Sequence, residues 1–145
     1  MPQKNLYAVL IGINHYEAVN RLNGCVKDIL NIDAILRKIC VSQIASSITY
    51  HPLYLLSPRD GDTSIQDYQQ EHGLSFDYHA PDFVNVTQKA FDHLGNASDE
   101  DICLFYFSGH GSTMQMPPGF RPDKGNPQWE TIVCSDSRKP GVRMW

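Results

Sequence analysis

The segment that most constrains this chain is Asp101–Ser112, DICLFYFSGHGS. Its unbroken apolar and aromatic run, Ile102–Phe107, is bounded by Asp101 on one side and Ser108-Gly109 on the other. That pattern reads as a buried strand rather than a helix. The strand runs into a turn of small residues that carries one histidine, His110, between Gly109 and Gly111. The glycines permit a sharp turn and leave room for a group to approach the imidazole closely. A histidine at the end of a core strand is well placed to act as a general base, because its pKa lies near neutral pH. A base of this kind needs a nucleophile to activate.

The rest of the chain supplies partners for that strand. Leu6–Ile13 is apolar throughout and ends on Asn14-His15, the signature of a strand buried on both faces. Asn23–Cys40 places Val26, Ile29, Leu30, Ile32, Ile35, Leu36 and Ile39 at helical spacing, and predicts an amphipathic helix. Ile48–Leu56 reads as a second strand, ended by Pro58 and Asp60-Gly61. Ser57–Ala80 is polar and without period, which predicts a surface insertion or mobile loop. Pro81–Gly95 returns to helical spacing and stops at glycine. Thr113–Gln128, rich in proline and glycine, is expected to be a loop, with a short strand over Trp129–Cys134. Strand and helix in alternation indicate an α/β fold with a parallel sheet, whose sites form at the carboxyl ends of the strands.

The bulk properties narrow the function. At 145 residues the chain suits one domain. A net charge of -4 and scattered Lys and Arg argue against a nucleic-acid or anionic-membrane partner. No apolar stretch approaches the ~20 residues of a membrane span. The N-terminal apolar run has no small-residue cleavage site after it and reads as a strand, not a signal peptide. Cysteines at 25, 40, 103 and 134 form no C-x-x-C pair, which points to free thiols and a reducing, cytoplasmic setting. His72 and His79 share a polar segment, but nothing near them completes a metal-ligand set.

Taken together, YAVLIGIN at the start, LNGCVKDI in the first helix and DICLFYFSGHGS resemble the caspase-like cysteine peptidases. The likeness is nearer to metacaspases and their bacterial relatives, and WETIVCSDSR extends it. The resemblance implies a caspase-like three-layer α/β sandwich, with a mostly parallel central sheet flanked by helices, C-terminally truncated. Residues 1–145 would be the N-terminal, large-subunit-like part of the catalytic domain, with 57–80 as the insertion. It implies that His110 is the dyad histidine and that the Gly111 N–H helps form the oxyanion hole. It further implies an acidic pocket selecting arginine or lysine, built from Cys25, Asp28 and Ser108. Peptide or protein would be the substrate. Calcium dependence, common among metacaspases, has no assignable motif here, and no other cofactor is implied.

One feature departs from the family pattern. The caspase histidine precedes its nucleophilic cysteine by about 50 residues, which from His110 lies beyond Trp145. Cys134 follows His110 too soon and lacks the His-Ser-Gly context. Cys40 and Cys103 read as core residues. The expectation is therefore a peptidase domain completed by a second chain or a further C-terminal segment. The alternative is a non-catalytic caspase-like module that pairs with a partner through an open strand edge. A third reading recruits Cys134 as an unorthodox nucleophile. Individual positions also keep plain alternatives: Asp28 as a solvated helix-face carboxylate, Cys25 as a small buried residue, Ser108 as a turn cap.

Overall fold

The computed structural model describes residues 3–41, 48–120, 125 and 127–140. Three parallel strands form the central sheet: β1 (Lys4–Ile13), β2 (Ile48–Ser57) and β3 (Ile102–Ser108), in the spatial order β2-β1-β3. Helix α1 (Cys25–Val41) crosses from β1 to β2. The return to β3 runs through α2 (Ser64–His72) and a helix that opens with a π-helical stretch, Asn85–Lys89, and continues as α3 (Ala90–Leu94). A second, antiparallel pair follows, β4 (Gly111–Gln115) and β5 (Gln128–Ile132).

The two faces of the sheet follow from the period-2 alternation of a strand. Ala8 and Leu10 of β1 and Tyr54 and Leu56 of β2 pack with Val26, Ile29 and Leu30 of α1 and Ile65 and Tyr68 of α2. Val9, Ile11 and Ile13 point the other way, and pack with Leu55, Val86, Ala90 and Val133. Helices on both faces make the three-layer α/β arrangement, and β1 at the centre is buried on both sides as its composition predicts.

Several expectations are corrected. Ser57–Ala80, expected to be a surface insertion or mobile loop, is not wholly loop: it contains α2, whose Ile65 and Tyr68 at i and i+3 face the core and are buried. Two apolar anchors among polar neighbours are too sparse a signal to register as a period. Thr113–Gln128 is not wholly loop, since β4 occupies its start and pairs with β5. Ile102–Phe107 is a strand but not a doubly buried one. Among the described residues β3 pairs with β1 alone, and Ile102 (44%) and Phe105 (39%) are exposed. Cys103, expected in the core, is exposed for the same reason, whereas Cys40 is buried. Cys134 is buried but sits just beyond β5, not within it. The far edge of β2, by contrast, is covered where His79 bridges to Leu55.

Candidate active site

The carboxyl ends of β1 and β3 adjoin, with Gly12 paired to Ser108. Gly12 is required there: a Cβ would lie 2.7 Å from Ile29 Cγ1 and 2.8 Å from the Cys25 carbonyl oxygen. Its absence lets the first turn of α1 sit directly on the strand. Asn14, 2% exposed, then fastens that turn, its side-chain oxygen accepting the backbone N–H groups of Cys25 (2.9 Å) and Val26 (3.4 Å). These are orphan donors of a helix N-terminus, and a buried one needs such a partner. Sequence reading placed Asn14 only as a strand terminator. An asparagine between an apolar strand and a glycine-led helix was the available signal.

The fastened helix start brings two of the predicted pocket residues together. Ser108 Oγ donates a 2.8 Å hydrogen bond to Asp28 Oδ2, across 80 residues of sequence. Cys25 is buried at the head of the helix. Asp28 is exposed, with one carboxylate oxygen engaged by Ser108.

His110 lies two residues past Ser108, and three separate segments hold it. Its carbonyl oxygen accepts the Val133 N–H at 2.9 Å. Its own backbone N–H donates to the Tyr16 hydroxyl at 2.7 Å, and the two rings lie 5.0 Å apart. On the side chain, Nε2 lies 2.8 Å from the Asn20 carbonyl oxygen. A carbonyl only accepts, so Nε2 carries the hydrogen of this bond. In the neutral ring this contact leaves Nδ1 as the acceptor nitrogen. None of its hydrogen-bond or ring partners among the described residues is a cysteine.

Gly111 begins β4 opposite Ile132. Because Val133 donates to the His110 carbonyl, Gly111 and Ile132 form a non-hydrogen-bonded pair of the antiparallel ladder. The Gly111 N–H therefore points away from β5.

The thiols divide by environment. Burial pushes the Cys134 thiol up to about 11, with Asp136 and Asp82 adding to the rise. A thiol so raised is a poor nucleophile near neutral pH, which removes the physical basis for recruiting Cys134. Burial likewise raises the Tyr16 phenol to about 12, so that it stays protonated. Among the described residues no group of three or more His, Cys, Asp or Glu is gathered to hold a metal, and no helix is long and apolar enough to cross a membrane.

A parallel sheet with helices on both faces, and a histidine turn at the carboxyl end of one strand, is an α/β arrangement consistent with the caspase type. The comparisons agree: the family model for the caspase domain of the C14 peptidases matches residues 5–143, and the chain belongs to that family. Over 134 residues it is 26% identical to Metacaspase-1 of Mycosarcoma maydis, covering 92% of this chain and 27% of that protein. It is 25% identical to Metacaspase-1A of Aspergillus oryzae, covering 92% of this chain and 26% of the relative. The chain thus spans about a quarter of the length of these relatives.

Proposed function

We propose that this chain is the histidine-bearing part of a cysteine endopeptidase that cleaves after arginine or lysine. The observation that carries the reading is the state of His110, with Nε2–H donated to Asn20 and Nδ1 left as the base. In the reaction, Nδ1 removes the proton of a cysteine thiol, and the thiolate attacks the scissile carbonyl carbon. The Gly111 N–H stabilises the oxyanion. The imidazolium then protonates the leaving amine, and water hydrolyses the thioester. Asp28, its carboxylate oriented by Ser108, takes the basic side chain, with Cys25 packing beneath it.

The cysteine comes from a further strand, in a second chain or a C-terminal segment, that pairs with the edge of β3 left without a neighbour among the described residues. Exposed Ile102 and Phe105 on that strand, with Phe91 (59% exposed) stacked on Phe105 at 6.1 Å, support this docking. Four free thiols support a reducing, cytoplasmic setting. The test is to co-express the chain with a segment carrying the cysteine strand and assay Arg, Lys and Asp reporter peptides. Turnover of the basic reporters, abolished by His110→Ala and weakened at least tenfold in kcat/KM by Asp28→Asn, is the expected result. An assembled complex that cleaves none of them refutes it. A second reading, a non-catalytic caspase-like module, draws on the same lack of a thiol beside His110. It predicts partner binding with no turnover, whereas a strictly monomeric chain counts against it.

A further inference from the structure

The glycine before His110 has a definite occupant beside it. A Cβ on Gly109 would lie 2.6 Å from the Tyr16 hydroxyl and 2.8 Å from Phe107 Cζ. The group that comes close to this turn is therefore Tyr16, a residue that sequence reading passed over. Its ring is 3% exposed and packs with Ile11, Ile13, Val133 and Cys134. The loop that carries it is tied down on all sides. Asn14 and His15 donate backbone N–H groups to the Ser57 carbonyl at 2.9 and 3.0 Å, and Leu22 donates to the Asn14 carbonyl at 2.8 Å. Glu17 donates its N–H to the Ser135 carbonyl at 2.9 Å and pairs through its side chain with Lys139 at 2.6 Å. The same short loop provides the Asn20 carbonyl that fixes the imidazole tautomer.

We propose that Tyr16 is the positioning residue of the site, holding the His110 main chain through its hydroxyl and the imidazole through its ring. The proposal builds on the catalytic reading of His110 but makes a claim about the chain alone. Holding the His110 N–H fixes the backbone from which both the imidazole and the following Gly111 N–H project. The ring beside the imidazole limits its rotation, so that Nε2 remains on the Asn20 carbonyl. Without the hydroxyl, the part-buried His110 N–H loses its partner, and the turn keeps only the Val133 and Asn20 contacts to hold it. The cost then falls on alignment of the base and the oxyanion donor, not on binding of substrate.

The decisive measurement uses the 145-residue chain and the imidazole nitrogen and ring-proton resonances of His110. The parent shows His110 as the Nε2–H tautomer with a single set of narrow lines. Tyr16→Phe keeps the ring and its packing but removes the hydroxyl. It is expected to give a mixture of tautomers or exchange-broadened lines while the amide spectrum stays folded. Gly109→Ala, which drives a methyl into the Tyr16 hydroxyl, should produce the same signature with Tyr16 intact; if one variant fails to fold, the other decides. A purely packing role for Tyr16 is fulfilled by phenylalanine, so unchanged tautomer and line width in the folded variants overturn the proposal. In the completed assembly Tyr16→Phe should lower kcat about tenfold and leave KM within about twofold. An inactive parent assembly defeats the peptidase reading, while the resonances of the isolated chain still decide the role of Tyr16.

Discussion

Asp33 is fully buried in α1 and accepts four hydrogen bonds, each 2.8 Å long. Tyr50 and Tyr54 of β2 reach Oδ1, while Tyr68 of α2 and Arg37 Nε reach Oδ2. Four donors match the four lone-pair sites of a carboxylate, so the charge is fully solvated by the protein. Asp33→Ala removes the common acceptor. The hydroxyls of Tyr54 and Tyr68, both within the core, are left without it, while Arg37 and Tyr50 retain some access to water. Removing one member of a buried charged network costs about 3–5 kcal/mol. Tyr68→Phe deletes only one bond to a charged acceptor, about 1.5–3 kcal/mol. For a domain of this size the first corresponds to a fall in Tm on the order of 10 °C. Urea unfolding of both single variants and the double variant gives the coupling directly, and about 1–2 kcal/mol of non-additivity is expected. Hydrogen exchange should show α2 opening first. If Asp33→Ala costs under about 1 kcal/mol, or the two changes add, the network does not hold α2 to the sheet and the reasoning is refuted.

Gly12→Ala places a methyl against the Cys25 carbonyl oxygen and Ile29. It should destabilise by about 1–3 kcal/mol and perturb the Asp28 and Ser108 resonances together; a silent substitution would show that α1 is not seated on β1. Alkylation at pH 7.5 should label exposed Cys103 first, with Cys134 reacting slowly until denaturant is added. Rapid labelling of native Cys134 would contradict its buried, raised-pKa setting. Tyr16, Tyr50, Tyr54 and Tyr68 all have phenols raised by burial, and Asp33 raises the last three further. The folded state therefore binds their protons more tightly than the unfolded chain. The stability this confers is complete below the ordinary value of 10.0 and is lost as pH rises past it, for Tyr16 over the span up to about 12. Urea midpoints should fall steeply above about pH 10, less so in Tyr54→Phe; a flat profile would rule this out.

What local pattern determines, the sequence carries by itself. Continuous apolar runs mark β1 and β3, three-and-four spacing marks α1, and the Ser-Gly-His-Gly turn marks the histidine. These signals depend only on near neighbours and the period of the backbone. Tertiary structure alone decides the rest, because the contacts join distant residues. The 2.8 Å bond between Ser108 and Asp28 spans 80 positions, and the Tyr16 hydroxyl meets the His110 N–H across 94. Helix α2 is invisible to periodicity, since only Ile65 and Tyr68 anchor it in the core and the Tyr68 hydroxyl reaches Asp33 from 35 residues away. The exposure of Ile102, Cys103 and Phe105 likewise follows strand order: among the described residues β3 pairs with β1 alone, whereas β1 lies between two strands. The histidine is legible in DICLFYFSGHGS, whereas the contact that makes its Nε2 a donor exists only because the fold sets the Asn20 carbonyl against it, 90 residues away in sequence.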